Sequence, residues 1–229
     1  MKYKMQQYRK IIWVVVFAIA MAYLESAVVV YLRNLYGITD YALGIPPFND
    51  AISIIEIGRE IATLVMIMAV GWATGKSFQD RLGYAFLIFG IWDIFYYFWL
   101  WIFVKWPSSL FDTDLLFLIP LPWWGPVAAP VMIALLMIIS GILAIMYEDK
   151  NLKLSLSMFW LSIAILSLLI LLYSFLRDAL AILPAELKAI SYIQPSPFNW
   201  VIYLTGYLML CIDLFYVFRN AKQVKPKNN

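Results

Sequence analysis

Glu56, Arg59 and Glu60 stand inside the apolar run 51–74, which is long enough to cross a bilayer. Glu25 and Asp93 stand inside two further apolar runs, and Tyr96 and Tyr97 follow Asp93 by three and four residues, so both rings can share its helix face. A tyrosine hydroxyl is a natural donor to a buried carboxylate. Carboxylates and a guanidinium in such surroundings suit three kinds of chemistry: carrying protons, holding a small cation or amine, or acting as acid and base on a lipid-like substrate. On the second run, Ser53, Glu56, Arg59, Glu60 and Thr63 fall within an arc of roughly 120° of a helix, with Gly58 on the other side. The stripe fades after Thr63, which predicts a pocket open to one face of the membrane rather than a polar path across it.

The balance of charge sharpens this. A charge near the bilayer centre costs about 2.5–3.5 kcal/mol even on lenient insertion scales. Arg59 offsets one of the four carboxylates, and Arg33, two turns beyond Glu25, is placed to offset a second. The remaining negative charge calls for protons on some carboxyls or for a bound cation. Asp112 and Asp114, in the connection after the third run, are expected at the mouth of the same site. The competing expectation is a closed salt-bridge network of Glu56, Arg59 and Glu60 with Tyr96 and Tyr97 that holds helices in register.

The elements that must position these groups are membrane helices. Of 229 residues, 64% are hydrophobic and 14% charged, against roughly 25% charged in soluble domains. The chain therefore reads as an all-α, polytopic integral membrane protein, one membrane domain over 1–229, with spans at about 11–32, 51–74, 83–105, 127–147, 154–176 and 199–218. The first run continues well past Ala18-Ile19-Ala20, too far for a signal peptide, and so is read as a retained helix. Ala18, Ala22 and Ser26 form a small-residue seam on it, with Glu25 alongside.

The connections are short. A loop over 33–50 holds Gly37, Gly44, Pro46 and Pro47; polar turns follow at 76–81 and 148–151; Pro184 to Ile193 reads as an interfacial helix. The apolar decapeptide 115–124, with Pro120 and Pro122, is too short to span and is expected to be re-entrant or interfacial. Trp99, Trp101, Trp106, Trp123 and Trp124 around it fit an aromatic belt.

With six spans, twelve Lys and Arg fall on the side of the termini and four on the other. By the positive-inside rule both termini are cytoplasmic, in the cell membrane, and the charged stripe opens to the extracytoplasmic side. Measured from the outer helix ends, Glu56 lies about 8 Å deep, Glu25 about 10 Å, Glu60 about 14 Å and Asp93 about 18 Å. Asp213, near the inner end of the last span, is expected to pair with a basic residue there.

Several classes are excluded. Histidine is absent, which removes imidazole-ligated haem, most zinc chemistry and Ser–His or Cys–His pairs. Cys211 is the single cysteine and reads as a packing residue. Gly-rich phosphate loops and paired-aspartate prenyl-transfer motifs are missing, so no cofactor and no metal are expected. The basic residues sit at termini and turns, where topology explains them, so no nucleic-acid partner is expected. The expected partners are the lipid bilayer and a small cation or lipid-like ligand; assembly as a homo-oligomer or complex subunit is left open.

The reading that uses the charge excess directly is binding or movement of a small cation, a proton or an amine-like solute. The alternatives are an intramembrane enzyme on a lipid or isoprenoid substrate, using carboxylate acid and base catalysis, and an accessory subunit whose stripe binds a partner helix. The first two need the stripe to face inward; the third needs it to face outward.

Overall fold

In hydrocarbon the backbone must satisfy its own hydrogen bonds, so long apolar runs become helices. The computed structural model describes residues 2–35, 37, 50–119, 121–181 and 196–223, with side chains from residue 7 in the first helix and from 54 in the second. Among these are six helices: α1 (Lys2–Leu35), α2 (Asp50–Thr74), α3 (Phe78–Val104), α4 (Ala128–Asp149), α5 (Met158–Ala181) and α6 (Trp200–Arg219). All but α2 are long and apolar enough to cross a membrane. The protein is thus an all-α polytopic membrane protein. At 25 residues α2 has the length as well, and its Glu56, Arg59 and Glu60 set it apart. Most of the 33–50 loop, the side chain of Ser53, Pro120, the 184–193 segment and the tail after 223 lie outside the described residues.

Helix ends follow local capping. α3 begins at Phe78, earlier than the apolar run, because Ser77 Oγ accepts the Asp80 N–H at 3.2 Å. It stops at Lys105, which adopts the left-handed conformation (φ 58°) while its N–H bonds Trp101 O. α5 begins at Met158, later than the expected 154. The preceding Leu152–Lys153 strand (β3) pairs with Lys222–Gln223 (β4), which pins the start of the basic tail to the α4–α5 turn. Gln79 of α3 holds the same turn, donating to Ala144 O and Leu152 O at 3.1 Å and accepting from Leu154 N at 2.9 Å.

α3 is the centre of the assembly, with α1, α2 and α4 all packed on it, while α5 pairs with α6. Ala18, Ala22 and Ser26, fully buried on α1, form the expected small-residue seam. Ser26 Oγ lies 2.9 Å from Tyr96 O of α3. Between α3 and α4 the approach is closer still. A Cβ on Gly90 would fall 2.5 Å from Ala134 O, and one on Gly141 would fall 2.6 Å from Gly83 O. These glycines are therefore required by the packing.

Residues 115–119 and 121–124 belong to a β-hairpin. β1 (Thr113–Leu115) runs antiparallel to β2 (Trp124–Pro126), with Asp114 opposite Gly125. The ladder extends inward through Leu116 N to Trp123 O and Trp123 N to Phe117 O, both 2.8 Å. Cross-strand pairing answers the backbone problem that an apolar non-helical segment poses. The tip enters the bundle, where the Phe117 ring lies 6.3 Å from Trp92 and 5.7 Å from Trp123. This corrects the aromatic-belt expectation for much of the tryptophan cluster. Trp106 and Trp124 are buried, and Trp123 stacks on Phe175 at 5.9 Å, so these rings anchor the hairpin. Trp101 stays exposed, beneath the Lys105 ammonium at 4.5 Å.

Candidate functional site

The two faces of α2 differ in solvent. Ile54, Ile55, Ile61, Leu64 and Val65 are exposed on one side, as lipid contact requires, whereas Glu60 and Thr63 are buried on the other. The charged stripe therefore faces the bundle. An outward stripe, expected of a partner-binding scaffold, is not what α2 presents.

Arg59 gathers the first group. Its guanidinium touches the Glu25 carboxylate of α1 and the Glu56 carboxylate one turn back on α2, with Nε 3.0 Å from each Glu56 oxygen. Thr63, one turn on, donates its hydroxyl to Glu25 Oε2 at 3.2 Å. Glu60 instead accepts the backbone N–H of Leu118, 3.0 Å from each of its oxygens. That amide belongs to the hairpin tip, so a segment with no ionisable side chain of its own completes the site. Sequence reasoning missed Leu118, because nothing in an apolar decapeptide marks one amide as a ligand to a carboxylate.

Asp114 gathers the second group. Arg33 Nη2 donates to its Oδ1 at 3.1 Å, and the Tyr97 hydroxyl donates to its Oδ2 at 3.2 Å. The Arg33 guanidinium also lies over the Trp106 ring, 5.0 Å from its centroid. All four side chains are buried. Burial pushes the Asp114 carboxyl above the ordinary aspartate range, and the Arg33 charge, the Tyr97 hydroxyl and the Leu115 amide pull it back.

Two expectations change here. Arg33 neutralises Asp114, not Glu25, and Tyr97 donates to Asp114, not to Asp93. The hairpin is the cause: register with β2 fixes Asp114 beside both donors, and it offers them a carboxylate that neither could be assigned from helix spacing. Asp112 also leaves the site. In a surface turn, its Oδ2 accepts from Ser108 N, Ser108 Oγ and Ser109 N at 2.7, 2.8 and 3.1 Å, which makes it a loop cap.

Asp93 lies one turn from Tyr97 on α3, and its Oδ2 is buried without a hydrogen-bond partner among the described residues. It is within electrostatic reach of Asp114 and makes no described contact with Glu25, Arg59 or Glu60. The carboxylates thus divide into two neighbouring groups. Tyr96 is within electrostatic reach of both, of Asp114 and Arg33 and of Arg59 and Glu56. Asp213 is likewise buried, at 2% exposure, and its Oδ1 has no hydrogen-bond partner among the described residues. Among the described residues it has no basic partner, because it points into the helix packing instead of toward the interface.

The electrostatic sum is plain. Glu25, Glu56, Glu60, Asp93 and Asp114 face Arg33 and Arg59, so full ionisation would leave three negative charges in a region where each needs compensation. Backbone donation at Glu60 and hydroxyls at Glu25 and Asp114 offset part of that. Asp93 has no such donor on its inner oxygen among the described residues. Among the described residues, no three acidic or sulfur side chains converge to hold a metal ion. The arrangement can accept protons or a compact positively charged ligand.

No protein-family model matches this chain, and neither a curated protein nor a solved structure matches it.

Proposed function

We propose that the protein binds and moves a small positively charged species, a proton, an alkali cation or an amine-like solute, at Glu25, Glu56, Glu60 and Asp93. Tyr96 couples the two carboxylate groups, and Arg33 and Arg59 limit how many negative charges the site carries. The site opens to the extracytoplasmic face of the cell membrane, with both termini cytoplasmic. The observation that carries this reading is the mismatch of five inward carboxylates with two guanidiniums, one carboxylate oxygen having no donor among the described residues. Protons or a cation supply what the protein's own cations do not.

Calorimetric titration of the purified protein with sodium, potassium and methylammonium, against N-methylglucamine at matched ionic strength, tests it. Saturable heat that Glu60→Gln and Asp93→Asn reduce, with stability unchanged or higher, supports the reading. A large stability loss without any effect on binding assigns the carboxylates to a structural network.

One observation favours a second reading, acid and base chemistry on a lipid or isoprenoid. α1 and α2 each pack on α3 while their backbones stay apart, joined by long side chains, and the Glu56 and Arg59 side chains remain 18% and 21% exposed between them. A substrate could reach those groups sideways from the bilayer. Turnover of a lipid or isoprenoid substrate, abolished by Glu56→Gln and insensitive to cations, would favour this reading over the first.

A further inference from the structure

At the end of the bundle that carries the amino terminus, the separation of α1 from α2 opens into a crevice of about 520 Å³. Its walls are apolar, from Val14 and Phe17 on α1 and Val70 on α2, and its mouth is cationic, from Arg9 and Lys10. Lys10 Nζ donates to Thr74 O at 2.8 Å, which ties the mouth together at the carboxyl end of α2. Arg9 is exposed and has no ion-pair partner among the described residues. Trp13, 67% exposed beside it, has the amphipathic ring that favours the headgroup level of a membrane.

A crevice between two helices in a bilayer does not stay empty, and the one here is polarised along its length. Apolar walls suit an acyl chain, and two cations without an ion-pair partner among the described residues suit an anionic headgroup at the interface. We propose that this crevice is a binding site for one anionic phospholipid of the leaflet at the amino-terminal end. The phosphate sits at Arg9 and Lys10, and an acyl chain lies along Val14, Phe17 and Val70. The lipid fills the gap between α1 and α2 below the Arg59 bridge and so sets their separation. This inference is independent of the carboxylate site.

The test is native mass spectrometry and thermal unfolding of the full-length protein in a neutral detergent, equilibrated in turn with phosphatidylglycerol, phosphatidylcholine and inorganic phosphate. Phosphatidylglycerol should remain bound and raise the unfolding midpoint, with phosphatidylcholine retained about tenfold less or weaker still. Arg9→Gln with Lys10→Gln should abolish that preference. Ala73→Phe, which fills the crevice from its exposed rim and leaves both cations in place, should reduce retention of phosphatidylglycerol while the protein stays folded. Equal retention of the two lipids by the wild type would overturn the proposal, as would unchanged retention in both variants. A midpoint shift by inorganic phosphate equal to that by phosphatidylglycerol would overturn it too, leaving only a site for a free anion.

Discussion

The backbone N–H of Leu118 lies 3.0 Å from both carboxylate oxygens of Glu60, joining the tip of the hairpin to the charged face of α2. A charge-assisted bond of this kind is stronger than a neutral one, and losing its acceptor strands a partly buried amide.

Glu60→Leu should therefore loosen the hairpin, at a cost of about 1–3 kcal/mol, whereas Glu60→Gln keeps a carbonyl acceptor and should cost less. Hydrogen exchange over 116–123 reads the difference directly. Faster exchange in Glu60→Leu, with Glu60→Gln near the wild type, is the expected pattern.

Arg33 and Asp114 form a buried pair whose members should be strongly coupled. Arg33→Gln and Asp114→Asn should each cost about 3–5 kcal/mol, and the double variant should cost less than the two together. The pH dependence has a defined sign. Without Arg33, the opposing pull on Asp114 is lost and its carboxyl moves further above the ordinary value of 3.8. A raised folded value contributes stability below the unfolded value and loses it as pH rises, so Arg33→Gln should become progressively less stable above about pH 4, while Arg33→Gln/Asp114→Asn should not. Unfolding midpoints across pH measure both.

Much of this fold could be read from the chain. The helices and the inward stripe follow from apolar run length and angular spacing, which are local properties. Asp114 could not be assigned a partner in that way, since its donors come from α1 and α3 and meet it only through the hairpin. Asp93 and Tyr97 show the limit of helix spacing: it states which groups share a face, and a third element decided which of them bond. The Leu118 amide had no signal at all, because every residue carries one.

Gly90 and Gly141 should be far less tolerant than Gly58. A Cβ at either of the first two meets backbone of the facing helix at 2.5–2.6 Å, whereas nothing lies within 4 Å of one at Gly58. Gly90→Val and Gly141→Val should each cost about 1–3 kcal/mol or prevent folding. Gly58→Ala should be neutral or stabilise by up to about 1 kcal/mol, through helix propensity. Unfolding in mixed detergent ranks the three.

Arg59 is the sole guanidinium in contact with Glu25 and Glu56 among the described residues, and Arg59→Gln leaves both without it. The variant should be destabilised by about 3–5 kcal/mol at neutral pH, and acidification should recover part of the loss as the carboxyls take up protons. Glu25→Gln/Arg59→Gln should be milder than Arg59→Gln alone. Thermal midpoints at two pH values check the ordering.

On the proposed function, protons or a small cation supply the positive charge that Arg33 and Arg59 do not. Infrared difference spectroscopy of the reconstituted protein measures this directly through the stretching band of protonated carboxyl groups. At neutral pH in N-methylglucamine, a protonated-carboxyl band should be present. It should diminish in Asp93→Asn, and sodium or methylammonium should reduce it in the wild type unless the site takes protons alone, in which case it should titrate with pH. A spectrum with every carboxyl ionised, unchanged by pH or by any of these cations, would show that neither protons nor a cation occupy the site.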